Sequence, residues 1–199
     1  MQDYLVILAG YALLGGGIKY IDEAYDENTF SKRSAGIAAF LCVVVMGYLI
    51  VNDGPSMMIF LGMIIALIFA KKIDNPAFTM GVAGVIPLPI LFNSSLNIEI
   101  VPLAVLIITG IMDERGNDLA DSKKIKGFLK KFFKFRCMMK VGVLGLCIFG
   151  FFGFIYFAAF MMFDIFYYLV KIYSSNIAYL NKNSMNISPI RYMLSLIKI

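Results

Sequence analysis

The sequence predicts an all-α, polytopic membrane bundle of about six transmembrane helices, plus one amphipathic helix on the membrane surface. Three observations carry this. The chain is 60% hydrophobic, 16% charged, with mean hydropathy +0.82, whereas a soluble domain is about half apolar and about a quarter charged. The apolar residues lie in continuous uncharged runs, not in the alternating segments of barrel strands. Basic residues collect in every second loop, as the positive-inside rule requires.

The spans fall at about 4–20, 35–51, 56–72, 77–93, 97–112 and 139–163. Most are near the short limit for crossing about 30 Å of hydrocarbon, so flanking Lys and Tyr must anchor the boundary. Met1-Gln2-Asp3 lacks the basic region of a signal peptide, so the first run is expected to stay as a span. Ala12 and Gly16, and Gly62 and Ala66, have the small-residue spacing that lets membrane helices approach closely. Pro87 and Pro89 remove two backbone donors from the fourth span, which should kink or break.

The first loop carries Lys32 and Arg33, the third Lys71 and Lys72, and the fifth eight basic residues from Lys123 to Lys140. The second (Asn52-Asp53-Gly54-Pro55) and fourth (93–97) carry none. Odd loops are therefore expected in the cytoplasm of a multi-pass cell-membrane protein, with the N-terminus outside. Within 122–138, Lys alternates with Phe at helical spacing, which reads as an amphipathic helix on anionic inner-leaflet lipid. Nucleic acid is set aside as a partner, because this stretch is tied between two spans.

The last run is rich in Phe and contains Asp164. An acid there is expensive unless paired or wetted. Residues 1–173 make the transmembrane domain and 174–199 a polar tail. The tail's Lys182, Arg191 and Lys198 conflict with an outside location, so either the tail escapes the rule or 141–172 is not one simple crossing.

Polar chemistry concentrates on the predicted inner face. Nine of the thirteen acids lie there: Asp22, Glu23, Asp26, Glu27, Asp74, Asp113, Glu114, Asp118 and Asp121. Asp22 and Asp26 are four apart, as are Glu23 and Glu27, and like charges at that helical spacing repel unless a cation sits between them. Echoes at Lys71–Asn75 and 111–115 suggest an irregular repeat of hairpins. Asp22, Asp26 and Asp113 are the candidate Mg²⁺ ligands, with Lys71, Lys72 and Arg115 on phosphate oxygens and Gly15, Gly16 and Gly17 allowing close approach. Asp22-x-x-x-Asp26 resembles the metal-binding aspartates of intramembrane prenyltransferases, over five residues. Ile18 stands where that motif carries Asn, and no family is assigned on it.

Three classes follow. One is a Mg²⁺-dependent transferase or hydrolase acting on a lipid-linked phosphate or pyrophosphate. Another is a structural or assembly subunit, in a homo- or hetero-oligomer. A small cation or solute transporter is the third, disfavoured because the inner parts of the first three spans lack ionisable groups. With no histidine, imidazole catalysis is excluded, and Cys42, Cys137 and Cys147 have no ligand spacing.

Overall fold

The computed structural model describes residues 2–72, 76–85, 87–91 and 98–184. Among them the secondary structure is helical, without strands. The helices are α1 (Gln2–Tyr25), α2 (Lys32–Asn52), α3 (Gly54–Phe69), α4 (Pro76–Val85), α5 (Leu88–Leu91), α6 (Ile100–Asp121), α7 (Gly127–Lys134), α8 (Cys137–Ile148) and α9 (Phe154–Ser184).

Among the described residues, three helices are long and apolar enough to cross a membrane: Tyr4–Tyr25, Lys32–Asn52 and Phe154–Ile177. Gly54–Phe69 and Cys137–Ile148 are shorter apolar helices. The 16 residues of α3 reach about 24 Å at 1.5 Å per residue. The fourth predicted span is interrupted where its prolines lie: α4 ends at Val85 and α5 begins at Leu88.

Local chemistry fixes the boundaries. Ser31 caps α2, its Oγ accepting the Ser34 N–H at 3.2 Å. Asp53 serves two helices. Its own N–H donates to Leu49 O, closing α2, while its carboxylate accepts the Ser56 N–H at 2.9 Å, opening α3. The ends of α3, α6, α7 and α8 share one device, a left-handed residue just past the helix. These residues are Lys71 (φ 55°), Lys123 (φ 59°), Arg136 (φ 48°) and Gly150 (φ 81°). At α3, Lys71 N–H reaches Ile68 O and Lys72 N–H reaches Leu67 O, both at 3.0 Å.

Close contacts give the helix directions. Gly15 abuts Phe163 and Gly16 abuts Val170, so α1 and α9 run parallel. A methyl on Gly15 would lie 2.0 Å from the Phe163 carbonyl oxygen, so the two backbones touch. Gly10 faces Leu49 and Gly17 faces Cys42, making α2 antiparallel to α1. Gly62 meets Leu106 and Gly110 meets Ala66, so α3 and α6 are parallel. Gly142 against Thr109, with Met139 near Gly110, runs α8 antiparallel to α6.

The predicted single span at 139–163 is corrected. Its first part is α8, residues 149–153 turn, and α9 runs back toward the basic loops. Gly150 makes the reversal possible, because its backbone takes a conformation that a side chain disfavours. The predicted surface helix over 122–138 is also shorter, with α7 covering Gly127–Lys134 alone.

The core is apolar: Tyr11, Leu14, Leu49, Ile59, Phe60, Leu106, Val143 and Phe160 are buried. Tyr11 and Phe60 rings lie 4.7 Å apart. Large apolar side chains are also exposed around the outside, among them Leu13, Phe40, Leu41, Ile100, Ile108, Phe149 and Leu169. Apolar residues on both the inside and the outside are consistent with a membrane protein.

Candidate functional site

The helix directions bring the ends of α1, α3 and α6 together with α7, the start of α8 and the middle of α9. A layer of paired charges forms there. On α1, Lys19 lies between two acids, its Nζ 2.6 Å from Asp22 Oδ2 and 2.7 Å from Glu23 Oε1. Its side chain is 11% exposed, and the same ammonium stands 5.4 Å from the Tyr167 ring centroid of α9. A buried charge is tolerated when it is paired this closely.

Asp113 and Glu114 on α6 are both buried. Each oxygen of Asp113 accepts a backbone N–H from the first turn of α8: Met138 at 2.9 Å and Met139 at 2.7 Å. Asp113 thus caps α8 from a different helix, supplying acceptors for amides that a helix start leaves unpaired. Arg136, the residue before α8, grips Glu114 with two nitrogens, at 3.0 and 3.4 Å. Partial desolvation pulls the Arg136 guanidinium down, although its side chain is still 46% exposed. Glu114 first, then Tyr167, Asp113 and Asp22, outweigh that and hold it above its ordinary value. One turn on, Lys140 donates to Phe135 O at 2.5 Å and pairs with Asp164 of α9.

Nearer the loops, Lys72 meets Asp118 at 2.5 Å, and this bond raises the Lys72 ammonium above its usual value. Lys134 reaches Asp121 at 3.3 Å. Phe133 plugs α7 onto α6, filling the space beside Gly116, where a methyl would lie 2.0 Å from the ring.

The predicted site residues are distributed over this face. Asp22 is paired with Lys19, and Asp113 is taken up by the amides of α8. Asp26 is exposed one residue past α1, and Lys71 and Arg115 are exposed as well. Lys72 is engaged with Asp118. Gly15 and Gly16 face α9, and Gly17 faces Cys42 on α2. Asp74, central to the proposed repeat, lies outside the described residues. Among the described residues, no group of three or more acids or cysteines lies close enough to hold a metal ion.

Sequence reading missed Arg136 and Lys140 as partners of particular acids. The signal available was their place just before an apolar run facing Asp164. It also missed a second polar cluster at the opposite end of the bundle. There the Tyr11 hydroxyl donates to Ser56 Oγ at 3.1 Å, and the Tyr156 hydroxyl donates to Asp53 Oδ1 at 2.6 Å.

Compared with protein-family models, with curated proteins and with solved structures, the chain matches none of them.

Proposed function

We propose that this chain is a multi-pass membrane protein acting as a non-catalytic structural or assembly subunit at the inner leaflet. In this reading the N-terminus is outside, and α1, α2, α3, the 76–91 segment and α6 are five crossings. The α8–α9 hairpin follows, returning the polar tail to the inner side. α7 lies on anionic lipid, with Phe128 and Leu129 exposed for insertion and Lys126 and Lys131 exposed toward headgroups.

One observation carries the functional part: the acids suited to Mg²⁺ hold the protein to itself. Asp113 gives both oxygens to α8 amides, Asp22 and Glu23 share Lys19, and Glu114 takes Arg136. A Mg²⁺-dependent lipid-phosphate transferase or hydrolase would have to break several of these pairs to assemble its metal site.

The test is turnover in nanodiscs containing polyprenyl phosphate, polyprenyl pyrophosphate or phosphatidic acid, with Mg²⁺ or with EDTA. The structural reading expects no product above a protein-free control and the same melting temperature in both conditions. Mg²⁺-dependent turnover that disappears in folded Asp22→Asn and Asp26→Asn would overturn it in favour of the enzyme.

A further inference from the structure

We infer that a cleft between the end of α7, the start of α8 and the middle of α9 binds a phosphate group, presented by an anionic lipid or as a free phosphate ester. The inference rests on the reading above that this face lies at the inner leaflet, and it adds a discrete site to that face.

The cleft has a volume of about 120 Å³, well above the roughly 10–15 Å³ that a single water needs. Lys134, Arg136 and Lys171 line it, together with Asn117 and the rings of Tyr167 and Tyr168. Asp164 is the acid in its wall, and it is already matched by Lys140. The remaining balance in the lining is cationic.

Each cation has capacity left. Arg136 has five N–H donors, and Glu114, which is not in the cleft lining, engages two of its nitrogens. Lys134 pairs with Asp121, but these side chains are 50% and 59% exposed, and such surface pairs are weak. Lys171 stands 5.9 Å from the Tyr168 ring centroid, which keeps its ammonium at the cleft. A guanidinium with two ammonium groups around a small polar space suits a phosphate, which accepts several charge-assisted bonds at once.

The flanks suit a lipid. Phe128 and Leu129 are exposed on α7, and Ile165, Leu169 and Ile172 are exposed along α9. Acyl chains can lie against these surfaces while the headgroup sits in the cleft.

The experiment is native mass spectrometry of the full chain released from nanodiscs of phosphatidylglycerol and phosphatidylcholine. Parallel titrations use inorganic phosphate and glycerol phosphate. Two variants separate the hypotheses: Lys134→Gln/Lys171→Gln in the cleft, and Lys126→Gln/Lys130→Gln/Lys131→Gln on α7. Arg136 is left intact because it also holds Glu114. The expected result is one retained phosphatidylglycerol, reduced roughly tenfold in the cleft variant for the loss of two charge-assisted contacts, and reduced clearly less in the α7 variant, which weakens only the diffuse attraction of the surface helix. Retention by the cleft variant equal to wild type overturns the site. If the α7 variant alone loses the lipid, the leaflet reading survives and the cleft does not. Equal retention of both lipids by wild type, with no phosphate binding, removes both. Binding of glycerol phosphate with the same dependence on Lys134 and Lys171, without lipid retention, identifies a free phosphate ester as the ligand.

Discussion

Asp113 on α6 accepts the backbone N–H of Met139 on α8 at 2.7 Å, while its other oxygen accepts Met138. A candidate metal ligand is therefore also the cap of a neighbouring helix. Asp113→Ala leaves two amides of α8 without an acceptor, one of them buried, a loss of about 2–4 kcal/mol. Asp113→Asn keeps one acceptor and should lose about half as much. Denaturant unfolding in detergent, followed by circular dichroism, measures both. A loss that appears only when Mg²⁺ is present would contradict the capping role.

Gly15 and Gly36 provide a matched pair. Gly15→Ala drives a methyl into the Phe163 carbonyl, and backbone cannot swing aside as a side chain can. The expected cost is about 2–3 kcal/mol, within the range for overpacking. Gly36, within α2, has nothing within 4 Å of the new methyl. Gly36→Ala should therefore stabilise by about 0.5–1 kcal/mol through helix propensity. Equal effects of the two changes would disprove the close α1–α9 contact.

Lys140 and Asp164 are paired across the α8–α9 hairpin, each under 20% exposed. Lys140→Met alone should cost about 3–5 kcal/mol, because it strands a buried carboxylate. Lys140→Met with Asp164→Leu should recover most of that loss. A double-mutant cycle reads the coupling, and strict additivity would mean the two side chains do not depend on each other.

Lys123 holds a left-handed backbone just after α6. A side chain there costs about 1–2 kcal/mol, and the extra freedom of glycine in the unfolded chain takes back part of the gain from removing it. Lys123→Gly should raise stability by up to about 1 kcal/mol. A lower melting temperature would show that the Lys123 charge at the helix end matters more than the strain.

The proposed topology, with α8 and α9 as a hairpin, makes a prediction about sidedness. In a background with Cys42, Cys137 and Cys147 replaced by Ala, single cysteines at Lys126 and Ser175 should react with a membrane-impermeant maleimide from the same side. A cysteine at Asn52 should react from the other. Labelling of positions 126 and 175 from opposite sides would refute the reversal at 149–153.

The apolar runs, the helical class and the clustering of basic loops were legible because lipid solvation acts on each segment by its own composition. Even the interruption at Pro87 and Pro89 is local, since proline removes a donor wherever it stands. The reversal within 139–163 was hidden. Gly150 and Gly153 read equally well as small residues for helix packing, and a run of Phe is apolar whether or not it folds back. The acidic stretch at Asp22–Glu27 is visible as charge repulsion, but that Lys19, three and four residues earlier, pairs with Asp22 and Glu23 shows only in the structure.

The sequence by itself determined that the chain is helical, with apolar segments fit to cross a membrane and charges clustered between them, because hydropathy and charge are properties of each residue in turn. Tertiary structure alone decided which charge meets which: that Asp113 caps α8, that Arg136 takes Glu114, and that Lys140 finds Asp164. Those pairings depend on helix direction and on close helix contacts at Gly15, Gly62 and Gly142, distances set by packing among segments far apart in the chain.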